Sequence, residues 1–171
     1  MIDGEIPKQD SMDSTAFDQL NSLARFETLL SNLSAQFINL PLDQVDEAID
    51  RAMGEVRGFF GIERWALMEV ISNQRSVQPS HSSYGHDIPE VPKTTNLALL
   101  FPWCYQRLVE NIQLCIYSNL DDLPAEADLD KQNFQAMGIQ SVFLLPLCIT
   151  GKVKYIMSAN STREARHWPG K

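Results

Sequence analysis

The chain has 171 residues, 44% of them hydrophobic and 21% charged, which is the size and composition of one globular domain able to bury its own core. Its net charge of −8 comes entirely from residues 1–50, which hold ten acids and two bases, whereas residues 51–171 hold twelve of each. That distribution repels phosphate backbones and argues against a nucleic-acid partner. No stretch reaches the roughly 20 apolar residues of a membrane span, and the acidic first residues lack the basic and apolar regions of a secretory signal, so a cytoplasmic protein with no membrane insertion is expected.

Residues 1–13 are polar and read as a disordered or frayed N-terminus. A helix is predicted over residues 14–39, where Leu23, Phe26, Leu30, Leu33 and Phe37 recur at spacings of three and four. So narrow a stripe serves either as a dimer seam or as a face packed on the helix's own domain. Pro41 ends that helix. A second is predicted from about Asp43, with Val45, Ile49, Ala52, Met53, Val56, Phe59 and Phe60 on its apolar face and Gly61 as its stop, so that Ile62 makes the contact after a left-handed glycine.

Residues 64–71 predict a strand that is apolar on both faces, with Trp65, Leu67 and Ile71 on one and Ala66, Met68 and Val70 on the other. Such a strand lies inside a sheet covered on both sides. The partner strand over residues 76–84 is polar and contains Pro79, which confines it to an edge or breaks it. Residues 85–96 read as a loop, 101–111 as a short helix, 113–117 as a strand and 125–137 as a helix stopped by Gly138. Two strands, 141–149 and 152–159, flank Thr150-Gly151 and form the clearest hairpin. The order of elements predicts an α+β layered domain with a largely antiparallel sheet.

Several segments, taken in order, carry a family resemblance. Phe59-Phe60-Gly61-Ile62-Glu63-Arg64-Trp65-Ala66-Leu67, Phe101-Pro102-Trp103, Asn119-Leu120-Asp121-Asp122-Leu123-Pro124, Gly138-Ile139-Gln140-Ser141-Val142-Phe143 and Arg166-His167-Trp168-Pro169 together resemble the GAF domains of bacterial multidomain signalling proteins, of the sensor histidine kinase or transcription-activator type. The resemblance covers about residues 22–169. It implies a PAS-related, six-stranded antiparallel sheet with helices on its faces, and one GAF domain over residues 14–171. It also implies a final helix beyond Lys171, in a longer chain that carries an output domain. The implied function is sensory: a small molecule, of unknown identity, is bound and the signal passes through the terminal helices, within a homodimer of a two-component system. The alternative is a ligand-free dimerisation and transmission module.

The pocket implied by the resemblance is assigned to Trp65, Leu67, His81, Tyr84, Phe101, Trp103 and Phe143, an apolar set with a few polar groups; the same aromatics could instead fill the core. No GxGxxG, P-loop, GxSxG or HExxH is present, so a domain without catalysis of its own is expected. His81, His86 and His167 lack metal-ligand spacing, and no metal is expected. The acidic run from Asp121 to Asp130 lacks the periodicity of a calcium loop and reads as a solvated loop and helix start. Cys104, Cys115 and Cys148 read as separate, reduced core thiols. Bilin-binding members of the family use a cysteine in a context these do not match. A sulfoxide reductase would need its cysteines gathered at one pocket. No counterpart of the family's cyclic-nucleotide signature is found.

Overall fold

The computed structural model describes residues 9–168, with side chains from residue 19 onward. These fall into two compact units, divided between Val45 and Asp46. The first holds the helix α1 (Gln9–Phe37), which begins ahead of residue 14, so residues 9–13 are helical where a frayed segment was expected. Asn39, at φ 57°, takes the left-handed turn that ends it before Pro41 is reached. Leu23, Phe26, Leu30 and Phe37 are exposed on this helix and Leu33 is half-buried. Residues 1–8, and the position of any final helix, lie outside the described residues.

The second unit opens with α2 (Val45–Phe60), preceded by a short turn without a side-chain cap. Its buried and half-buried positions Ala48, Ile49, Ala52, Met53, Val56 and Phe60 follow helical spacing. Gly61, at φ 60°, closes it, the Ile62 N–H donating to the Arg57 carbonyl at 3.2 Å and Ile62 itself becoming buried.

Among the described residues the strands β1 (Arg64–Ile71), β2 (Ser76–Tyr84), β3 (Cys115–Tyr117), β4 (Ser141–Ile149) and β5 (Lys152–Ser161) form one antiparallel sheet in the order β2-β1-β5-β4-β3. The α+β class is as expected, with five strands in place of six. Residues 85–96, with Pro89 and Pro92 lacking N–H donors, form a loop and add no ladder to the edge. Polar β2 lies on that edge, and its pairing slips between Pro79 and His81, leaving Ser80 as a bulge whose hydroxyl donates to the Leu67 carbonyl at 2.9 Å.

Strand β1 is covered on both sides. Alternation sends Trp65 and Leu67 toward α2, where they pack with Met53, Ile62, Ala159 and Trp168. It sends Ala66, Met68 and Val70 to the other face, covered by α3 (Leu97–Leu100), α4 (Pro102–Tyr105), a π-helical turn at Gln106–Glu110 and α5 (Asp128–Ala136). The main core is therefore on the α3–α5 side. No described helix is long and apolar enough to cross a membrane.

Candidate functional site

A cavity of about 70 Å³ lies between the sheet and the α3–α5 layer. One wall is made by alternate residues of three strands: Arg64, Ala66 and Met68 of β1, Ile156, Ser158 and Asn160 of β5, and Leu144 of β4. Ala98, Phe101, Cys104 and Phe134 make the opposite wall, where the Phe101 and Phe134 rings stack at 4.3 Å. Tyr84 and Val91 close one side.

The strand register polarises this space. Arg64 stands opposite Asn160, Ala66 opposite Ser158 and Met68 opposite Ile156, so the polar groups collect at one end and the apolar ones at the other. Arg64 is 4% exposed. Its Nη2 donates to the Pro89 carbonyl at 3.3 Å and its guanidinium lies 5.7 Å from the Tyr84 ring centre. Its Nε and Nη1 have no hydrogen-bond partner, and no carboxylate among the described residues forms an ion pair with it. Burial lowers the pKa of this arginine, a smaller effect of Tyr84 opposing it. Asn160 donates to Ser158 Oγ at 3.1 Å, while its Oδ1 is buried and unpartnered.

The loop over residues 85–96 is pinned where it passes this end. The Val91 N–H donates to the Tyr84 hydroxyl at 3.0 Å, and the Gly85 N–H to the Glu63 carbonyl at 2.7 Å. At its far end Asn96 Oδ1 accepts from both Val77 N and Ala98 N, tying the loop to β2 and capping α3.

No family model and no curated protein matches the chain in sequence. Solved structures do match it. The phycoerythrobilin-bound GAF domain of a cyanobacterial phytochrome superposes with a TM-score of 0.67 over 88% of this chain and 86% of its own, at 16% identity. The blue-light absorbing form of the PixJ GAF domain of Thermosynechococcus elongatus gives 0.58 over 82% and 76%, at 12% identity. A domain attributed to a two-component sensor histidine kinase of Sinorhizobium meliloti gives 0.51 over 73% and 79%, at 15% identity. The chain has the GAF fold.

In this GAF fold the seven residues assigned to a pocket from sequence do not meet. Tyr84 and Phe101 line the cavity. Trp65, Leu67 and Phe143 point to the other face of the sheet, Trp65 stacked on Phe60 at 5.8 Å and Phe143 against Trp168 at 5.8 Å. His81, paired with Leu67 in register, faces α2 and bonds Asp50 through Nδ1 at 3.0 Å, with Asp46 3.8 Å from Nε2. Trp103 lies beside the cavity rather than in its wall, between Tyr117 and the Arg107 guanidinium.

Three other groups depart from the sequence reading. Asp130 is 1% exposed rather than solvated. Its carboxylate accepts the Trp103 N–H at 3.2 Å and the Cys104 N–H at 2.8 Å, capping the first turn of α4. Burial raises its pKa against the opposing pull of those bonds. Cys104 and Cys115, read as separate, are close enough to influence one another: the neighbouring Cys115 thiol and burial raise the pKa of Cys104, while Cys104 and, more weakly, Arg107 lower that of Cys115 against its own burial. Cys148 is exposed, far from being a core thiol. No cluster of metal-ligating side chains is found among the described residues.

Proposed function

We propose that this GAF-fold chain is a sensory, regulatory domain, without catalysis of its own, that binds a small molecule in the cavity under its sheet. Occupancy would be passed through the terminal helices to an output domain of a signalling protein, such as a histidine kinase. The observation carrying this reading is the cavity itself: a space left open in an otherwise close-packed core, with polar groups at one end that nothing satisfies. A ligand that stabilises one arrangement of the pinned 85–96 loop over another would shift the balance between them.

The bilins of the phytochrome structures do not suit this space. About 70 Å³ is far below the roughly 300–1,000 Å³ of sites for drug-sized ligands, so the ligand sought is small. Thermal unfolding of the full chain against a library of small metabolites tests the proposal. A saturable rise in the midpoint for one chemical class is expected; a library without any such compound contradicts it.

The exposed stripe Leu23, Phe26, Leu30 and Phe37 on α1 supports a second role as a dimerisation and transmission module. Sedimentation should give a concentration-dependent dimer that Leu23→Glu with Leu30→Glu converts to monomer. A wild-type monomer at every concentration contradicts it.

A further inference from the structure

We infer that the cavity is a site for a short-chain carboxylate, its oxyanion held by the side edge of the Arg64 guanidinium and its tail against Met68, Phe101, Leu144 and Ile156. The inference rests on the ligand-binding reading above and names the ligand's chemistry. A buried guanidinium with no counter-ion is costly; its side edge offers a carboxylate the free Nε–H beside Nη2, and its free Nη1–H lies on the opposite edge. Both free donors are buried and unpartnered in a residue that lines the cavity.

Three features select a monoanionic acid over other ligands. Among the described residues Arg64 is the one base lining the cavity, so a single negative charge is matched and a phosphate dianion is not. The wall beyond Ala66 and Ser158 is apolar, so the rest of the ligand is a hydrocarbon body. The free Oδ1 of Asn160, across from Arg64, can accept a hydrogen bond from a hydroxyl near the carboxylate, which favours acids substituted close to the head group.

The test titrates the full chain with straight-chain acids from acetate to hexanoate, with the alcohol of each length, with inorganic phosphate and with xenon, following amide nuclear magnetic resonance shifts. Acids should bind about 10- to 100-fold more tightly than alcohols of equal length, with affinity falling once the tail outgrows the cavity, and phosphate should not compete. Arg64→Met should erase the preference for acid over alcohol, and Arg64→Lys, which keeps charge but loses the planar guanidinium and its Nε–H, should weaken acid binding about 10-fold. Equal binding of acid and alcohol to the wild type overturns the carboxylate assignment while leaving the cavity a ligand site. Competition by phosphate equal to that of the acids overturns it too. If acid, alcohol and xenon all leave the cavity amides unmoved, the ligand-binding reading falls with it. The wild-type contrast decides even if a variant does not fold.

Discussion

Among the described residues Arg64 and Asp130 are the two most deeply buried charged side chains, and they differ in how their polar atoms are satisfied. Asp130 has its partners built in, two backbone N–H groups at the start of α4. Asp130→Ala should strand both donors and cost about 1–3 kcal/mol in urea unfolding. Burial raises its folded pKa above that of the unfolded chain, so the folded state holds the extra proton between the two values. The stability this carboxyl contributes is present below the unfolded value and is lost as pH rises through the folded one. Unfolding free energy measured across the acidic range should show that fall, and Asp130→Asn should remove its share. Arg64 is bonded at Nη2 to the Pro89 carbonyl, but its Nε and Nη1 have no partner and no carboxylate among the described residues pairs with it. Arg64→Met should therefore unfold at a midpoint no lower than wild type without ligand, since it removes an uncompensated buried charge. A loss of 3 kcal/mol or more would make the arginine a structural residue instead of a ligand-binding one.

At the scale of elements, local chemistry accounts for most boundaries and its exceptions are informative. The β4–β5 turn holds Thr150 at φ 51° and Gly151 at φ 77°, both left-handed. A β-branched residue is poorly suited to that region, where asparagine is favoured. Thr150→Asn should raise stability by about 1 kcal/mol, read from the urea midpoint; no change would show the turn to be unstrained. The Asp130 position was readable from helical spacing, since Ala127, Asp130 and Phe134 recur at three and four and all are buried, but the neighbouring acids made the run look solvated. Arg64 likewise alternates in step with Ala66, Met68 and Val70. Its charge masked a place in the wall that the strand period already gave it. The α4 segment was legible as a helix, whereas its widening into a π-helical turn at Gln106–Glu110 depends on packing that no local signal encodes.

For the molecule as a whole, the α+β class, the edge position of β2, the closing hairpin and the Gly61 helix stop could all be read from periodicity and turn residues. Which face of the sheet holds the cavity could not. β1 is apolar on both sides, and a void appears where the facing helices fail to fill the space, a property of tertiary packing alone. Of the seven residues that the sequence suggests for the pocket, Tyr84 and Phe101 line the cavity, whereas Trp65, Leu67 and Phe143 pack on the α2 side, and the smaller residues Ala66 and Ala98 leave room on the other. The same limit hid the Cys104–Cys115 contact, because α4 and β3 meet only once the sheet is formed. A cavity so placed lies under β1 and β5, the pair at the heart of the sheet, and a ligand there would bear on the whole second unit. The most direct measurement is the amide spectrum of the full chain during titration with butyrate. Saturable shifts gathered at residues 64–68 and 156–160 are predicted; shifts that are absent, or confined to the surface of α1, would contradict a ligand site under the sheet.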